Sequence, residues 1–321
     1  MRYRCRYVGA ALALGLLGPL AGFGQVKPPQ MPTQKSPFPL PTGVKFPVTL
    51  PCFLWHGLPM VTGGVNEKPQ QFIVDTGLNA VTVSQKVQAA LSLPLTKSRY
   101  RVIALDYASD VPAVTLQDIS LGQMVFLKVE ATVMNVGSML SPHAPPDSPQ
   151  CWLGTPLLSA FQITLDTKNH ACLLDSPKAD APKSDDALTL PLTMKSGRIF
   201  ARLTAPGAKP FLMLIDTGSP ASILPLTTFD KLKLKPFKIQ IIRLANRRNA
   251  RAAQVVLPEL LLGGASLKNL SVVSIAPDDP KDFDPDFGLL GMDILGRYRI
   301  TINYARLKMT LIPYPEPPAI K

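Results

Sequence analysis

The sequence predicts an all-β protein built from two copies of one unit in tandem. Two observations carry that expectation. The triplet Asp-Thr-Gly occurs twice, each time directly after an apolar run, and a fixed residue offset relates further positions around the two triplets. The texture between them agrees: short apolar runs alternate with turn residues, and helix-like periodicity is scarce.

The N-terminus carries Arg2, Arg4 and Arg6, followed by an apolar stretch from Val8 to Phe23 and small residues at Gly22-Phe23-Gly24. This pattern predicts a secretory signal over 1–24 and a secreted or periplasmic product. An uncleaved membrane anchor is the competing reading, because no charge occurs from Tyr7 to Val26. Gly15, Gly18 and Pro19 weaken such a helix. Residues 25–46 are rich in proline and lysine and read as an extended tether.

The repeat organises the rest of the chain. Asp75-Thr76-Gly77 succeeds Phe72-Ile73-Val74, and Asp216-Thr217-Gly218 succeeds Phe211 to Ile215. The offset of 141 also relates Leu116 to Leu257 and Leu121-Gly122 to Leu262-Gly263. Leu153-Gly154 matches Leu290-Gly291 at an offset of 137, which then holds for Leu158 and Leu295, Phe161 and Tyr298, and Ile163 and Ile300. The four-residue difference falls in a proline-rich loop, Ser141 to Pro149, where length changes cost little. The expected units are 47–175 and 188–315, with a linker at 176–187 and a tail at 316–321. Each unit ends in a hairpin: Ile163-Thr164-Leu165 with Cys172-Leu173-Leu174, and Ile300-Thr301-Ile302 with Leu307 to Leu311. Short helices are expected at Ser84 to Leu91, at Leu226 to Leu232, and for one turn after each Leu-Gly.

Two carboxylates held close must share a proton, which is the equipment for activating water. With the apolar residues before each triplet, the later Leu-Gly pairs and the closing hairpins, the chain resembles the pepsin/retropepsin group of aspartic proteases, in particular its bacterial retropepsin-like branch. The resemblance covers both copies, from about Pro47 to Pro315. It implies two pseudo-twofold-related β-barrel lobes with an inter-lobe cleft. It also implies Asp75 and Asp216 as the catalytic pair, Thr76 and Thr217 cross-bonding the loops, and Gly77 and Gly218 within them. Leu153-Gly154 and Leu290-Gly291 would pack beneath. The implied activity is aspartic endopeptidase on a peptide or protein substrate, with no cofactor and no metal.

Copy one departs from the family pattern. Leu78 follows its triplet where copy two has Ser219, and Gly154-Thr155-Pro156 stands where copy two has Gly291-Met292-Asp293. Ser219 is expected to hydrogen-bond Asp216 and keep it ionised, which makes Asp75, beside Leu78, the protonated member. The segments after each aspartate, where the family places hairpins over the cleft, carry opposite charge. Asp106, Tyr107 and Asp110 face Arg247, Arg248 and Arg251 under the 141 offset. Three readings stand: a mutual clasp, charge sorting of substrate, or two solvated loops.

Other chemistries lack their residues. The histidines are His56, His143 and His170, with no His-Glu-x-x-His, and no Gly-x-Ser-x-Gly occurs. The acidic loop from Asp278 to Asp286 does not fit a calcium-loop spacing. Removing 1–24 leaves Cys52, Cys151 and Cys172, and Cys151 with Cys172 is the candidate bridge, against three buried thiols. The net charge of +12 is not organised as a nucleic-acid-binding stripe, and aromatics are 7%. It is read as attraction to anionic envelope surfaces. With both copies in one chain a monomer is expected. A second class of function stays open: a non-catalytic peptide-binding protein on a degenerate protease scaffold, which Leu78 and Pro156 favour.

Overall fold

The computed structural model describes residues 38–103, 108–135, 148–243, 249–277 and 284–315. The signal and tether up to residue 37 and the tail from 316 lie outside the described residues. The regular structure of the described chain is nearly all strand, with four short helices, and its two copies repeat one element order.

Copy one runs β1 (Val48–Trp55), β2 (Leu58–Val65), β3 (Lys68–Val74), β4 (Thr82–Ser84), α1 (Gln85–Ala90), β5 (Leu95–Ile103), β6 (Ala108–Leu121), β7 (Met124–Met134), β8 (Cys151–Leu153), α2 (Thr155–Leu158), β9 (Gln162–Asp166) and β10 (Ala171–Asp175). Copy two runs β11 (Leu188–Lys195), β12 (Arg198–Leu203), β13 (Phe211–Ile215), β14 (Ile223–Leu224), α3 (Leu226–Lys231), β15 (Lys238–Arg243), β16 (Asn249–Leu262), β17 (Ala265–Pro277), β18 (Gly288–Leu290), α4 (Met292–Leu295), β19 (Tyr298–Asn303) and β20 (Lys308–Pro313). The four short helices fall where the sequence places them. The first is capped by Ser84, whose Oγ accepts from the Val87 amide at 3.1 Å.

Each lobe wraps a sheet around its own apolar residues. In the first, β3 pairs in parallel with β8 and β4 with β7, while β2–β3 and β6–β7 are antiparallel. The second lobe repeats this with β13–β18, β14–β17, β12–β13 and β16–β17. The parallel pairs place the ends of β3 and β13 deep in the molecule, and Phe72-Ile73-Val74 and Phe211 to Ile215 read as continuous apolar runs because both faces are covered there.

The closing hairpins do more than finish their own copies. Strand β9 pairs with β19 across the repeat, with Thr301 opposite Thr164 and Ile302 opposite Ile163. With β1–β10, β9–β10, β19–β20 and β11–β20, this makes one antiparallel six-stranded sheet in the order β1-β10-β9-β19-β20-β11. At its centre the hydroxyls of Thr164 and Thr301 meet at 2.9 Å, both buried. These residues are 137 apart, so this hydrogen bond sits on the local twofold axis.

The candidate bridge between Cys151 and Cys172 is not formed. All three described cysteines are free and buried. Cys151 lies on β8 opposite Phe72, whereas Cys172 on β10 pairs with Leu50, two residues from Cys52. Spacing along the chain hides the fact that β8 and β10 belong to different sheets.

The twofold threonine pair gives a clean test. Thr164→Val or Thr301→Val alone strands one buried hydroxyl and is expected to cost about 1–2 kcal/mol in denaturant unfolding. The double valine variant is expected to cost less than the sum, because no orphan remains.

Candidate active site

The two Asp-Thr-Gly loops leave the ends of β3 and β13 and meet between the lobes. The Asp75 amide donates to Leu153 O at 3.0 Å, and the Asp216 amide donates to Leu290 O at 3.0 Å. Behind them the Thr155 amide donates to Leu78 O at 2.9 Å and the Met292 amide to Ser219 O at 2.8 Å. The Leu-Gly pairs therefore do pack beneath the loops. A methyl group at Gly154 would stand 2.7 Å from Leu78 O, and one at Gly291 2.9 Å from Ser219 O, so neither position admits a side chain.

Thr76 and Thr217 join the loops reciprocally. Thr76 Oγ1 donates to Ile215 O at 2.7 Å and accepts from the Thr217 amide at 3.1 Å. Thr217 Oγ1 donates to Val74 O at 2.6 Å and accepts from the Thr76 amide at 3.2 Å. Both threonines are fully buried, so these bonds are shielded from water.

The carboxylates then face each other. Each turns back on its own loop: the Gly77 amide donates to Asp75 Oδ1 at 2.9 Å and the Gly218 amide to Asp216 Oδ1 at 2.8 Å. Each glycine also lies against the opposite acid. A methyl group at Gly77 would sit 2.6 Å from both carboxylate oxygens of Asp216, and one at Gly218 2.6 Å from Asp75 Oδ1. The two side chains hydrogen-bond each other. Asp75 is buried and Asp216 half-buried.

Their electrostatics are unequal. Burial pushes the Asp75 carboxyl well above the usual carboxylate range, and the Asp216 charge adds to the rise against the amides of Gly77 and Leu78. Burial also raises Asp216, but the Gly218 amide, the hydrogen bond from Asp75, the Arg198 charge and the Ser219 amide all pull it back. Asp75 is the favoured site of the shared proton. The expected role of the Ser219 hydroxyl needs correction: Ser219 Oγ donates to Ala221 O at 2.9 Å, and it is the Ser219 backbone amide that serves Asp216. Leu78 makes the same amide contribution to Asp75 while its side chain is buried, so its lack of a hydroxyl removes nothing from the loop.

Two groups carry no motif in the sequence. Arg198 opens β12, is buried, and holds its guanidinium 5.8 Å from the Phe200 ring and 5.9 Å from the Phe287 ring. Burial lowers its affinity for the proton, and the Asp216 charge opposes that. The matching hairpin in copy one pairs Trp55 with Leu58 where copy two pairs Lys195 with Arg198, so an apolar residue occupies the equivalent place. Comparing the hairpins at that register would have exposed the exchange. Asp293 is the second: it accepts from the Ser222 hydroxyl at 2.6 Å and the Ser222 amide at 2.9 Å, and Ser222 Oγ accepts from the Gly291 amide. Copy one has Val81 and Pro156 there. Pro156 stands in the first turn of α2, where a missing amide hydrogen is harmless.

Of the remaining expected residues, Asp106, Tyr107, Arg247 and Arg248 lie outside the described residues. Asp110 is exposed on β6 opposite Arg101, and Arg251 is exposed on β16 opposite Ile241 and Ala276. Among the described residues no three His, Cys, Asp or Glu side chains gather to hold a metal ion.

The raised carboxyls make a stability prediction. Where the folded value exceeds the unfolded one, the wild type is most stable below the ordinary carboxylate value and loses stability as pH rises through the folded value. Asparagine has no such loss. The melting temperature of Asp75→Asn minus that of wild type is therefore expected to grow by several degrees between about pH 4 and about pH 7, each kcal/mol being worth roughly 2–4 °C. A flat difference would contradict the burial of a proton-sharing acid.

Comparison with known proteins agrees with this geometry. The family model described as aspartyl protease matches residues 61–157 and 201–294, more than half of the chain and one match per copy. The crystal structure of an aspartic proteinase from Irpex lacteus superposes with a TM-score of 0.50 at 14% identity, over 85% of this chain and 99% of that one. That identity speaks for the fold alone. No curated protein matches the sequence. Two family matches that each contain one Asp-Thr-Gly loop, joined at one shared pair of acids, place the chain in the aspartyl protease family.

Proposed function

We propose that this protein is a secreted or periplasmic aspartic endopeptidase. One observation carries the reading: two carboxyls from different copies, one buried and one half-buried, are hydrogen-bonded to each other and held by symmetric loops. The N-terminal arginines and uncharged apolar stretch support export.

In the proposed reaction Asp216 is ionised and Asp75 protonated. A water between them gives a proton to Asp216 as its oxygen attacks the scissile carbonyl carbon, while Asp75 donates its proton to the carbonyl oxygen. The tetrahedral diol collapses when Asp216 passes its proton to the leaving amine nitrogen and a diol hydroxyl returns one to Asp75. Both carboxyls end as they began, and no covalent intermediate forms. An extended substrate strand would be gripped through its backbone, as strands between β lobes can be. The flap residues Asp106, Tyr107, Asp110, Arg247, Arg248 and Arg251 are proposed to meet substrate on either side of the cut.

Digestion of casein or a peptide library is expected for wild type and reduced by at least about a hundredfold in Asp75→Asn and in Asp216→Asn, since general acid or base action is worth roughly 10²–10⁴. Absence of cleavage by wild type at any pH would favour the peptide-binding alternative. The singly protonated pair is the active form. Activity falls when both acids are protonated at low pH and again when both ionise at high pH. Because both carboxyls are raised, the optimum is expected in mildly acidic solution rather than near the ordinary carboxylate value of about 4.

Arg198 sets the acid limb. Removing its charge raises Asp216, so Arg198→Leu is expected to shift the acid limb of the kcat/KM profile to higher pH, with Arg198→Lys in between. An unmoved acid limb would mean that Arg198 acts through packing alone.

A further inference from the structure

The strand that leads to the hairpin tip of the second lobe is exposed along its whole first half. Every residue from Lys235 to Ile241 is exposed, and three of them are large and apolar: Phe237 at 60%, Ile239 at 62% and Ile241 at 62%. Alternate spacing puts Ile239 and Ile241 on one side of β15, and Phe237 stands just before the strand, its amide donating to Gln254 O at 3.0 Å. Among the described residues β15 pairs with β16 alone, so it is a sheet edge. Isolated exposed apolar residues are ordinary, but two on one side of an edge strand with a third at its entrance are not.

The opposite side of the hairpin is occupied. Ala250 and Ala252 are buried there, and Ile242 packs against the cluster of Ala250 and Ile275, as do Ile223 and Val273. The apolar stripe is thus the outer face, turned away from that packing. Arg251 is exposed opposite Ile241 and continues the stripe with a charge.

The fold does not require this composition. Asp110 and Arg251 are related by the 141 offset, Arg101 lies opposite the first and Ile241 opposite the second. Two residues earlier on each strand stand Arg99 and Ile239, both exposed. The first lobe therefore spends the same position on a charged side chain, as an exposed strand usually does. The second lobe surrounds its apolar residues with cations. Lys231, Lys233, Lys235 and Lys238 are all exposed, and Asp230 is the single acid between Leu226 and Arg243.

We infer that this face of β15 is a membrane-docking surface that lays Phe237, Ile239 and Ile241 into the headgroup region of an anionic phospholipid bilayer while the flanking lysines meet the lipid phosphates. The pairing of apolar side chains with a predominantly cationic rim, four lysines to the one acid Asp230, is the chemistry that such a surface selects. A soluble acidic protein would be served by the lysines without the apolar stripe, and a second copy of the chain would bring the same four lysines against themselves. The inference stands apart from the proposed reaction, and its test does not use peptide cleavage.

The full chain is mixed with sedimentable vesicles of phosphatidylglycerol and phosphatidylcholine, or of phosphatidylcholine alone. Pelleting is expected with the anionic vesicles at about 0.05 M salt and release at about 0.5 M, where screening is short-ranged. Phe237→Ser/Ile239→Ser/Ile241→Ser, and separately Lys231→Gln/Lys233→Gln/Lys235→Gln/Lys238→Gln, are expected to lower the apparent affinity by at least about tenfold at unchanged melting temperature. Ile239→Trp supplies a local readout that holds if either multiple variant fails to fold: its emission is expected to move to shorter wavelength on adding anionic vesicles. No pelleting by wild type, pelleting that survives both variants, or an Ile239→Trp spectrum unchanged by vesicles overturns the assignment. So does a concentration-dependent dimer, dispersed by the serine variant, in a protein that ignores vesicles.

Discussion

Two acids pressed against each other cannot both carry charge, and the molecule is arranged around that constraint. Two unit charges in hydrogen-bond contact repel by roughly 5 kcal/mol at an effective dielectric of about 20. The four hydrogen bonds exchanged by Thr76 and Thr217 are worth about 1 kcal/mol each. The clamp alone does not overcome full repulsion. It holds because one proton stays, which turns repulsion into the hydrogen bond between Asp75 and Asp216. The glycines serve the same end, since any side chain at Gly77 or Gly218 would occupy the space of the facing carboxylate.

The scaffold is symmetric and the site is not. The latches on Leu153 and Leu290 match, as do those on Leu78 and Ser219. The differences lie one layer out. Copy two has Arg198 where copy one has Leu58, and Ser222 tied to Asp293 where copy one has Val81 and Pro156. Copy one instead buries Tyr304, from the turn of the other copy's hairpin, near Thr155 and Asp75. A symmetric pair would leave the proton undecided between two equal carboxylates. A cation near one and apolar burial at the other decide it.

Much of this architecture is legible in the chain alone. Paired triplets and the two offsets of 141 and 137 report it because a duplicated unit must repeat the residues that its backbone depends on: the acid, the cross-bonding hydroxyl and the glycine that admits the facing loop. The closing hairpins show through alternation, and the short helices through their position after each strand. Contact between segments with no spacing to announce it stays hidden. Nothing in Ile163-Thr164-Leu165 says that its free edge takes up Ile300-Thr301-Ile302. The direction of the Ser219 hydroxyl is hidden too, because a residue type does not reveal which of two nearby acceptors its rotamer reaches. Cys151 and Cys172 look close along the chain because sequence distance ignores which sheet each strand joins.

The seam between β9 and β19 has a consequence for how such a chain can be divided. Cutting between the copies would leave each half with a bare strand edge where Thr164 or Thr301 now finds its mate. A bare edge of that kind pairs with whatever strand fits, and the best-fitting strand available to an isolated half is the same strand of another half. Severed halves would therefore seek their own kind across the old axis, and each such couple would present two identical acids with no outer-layer residue to tell them apart.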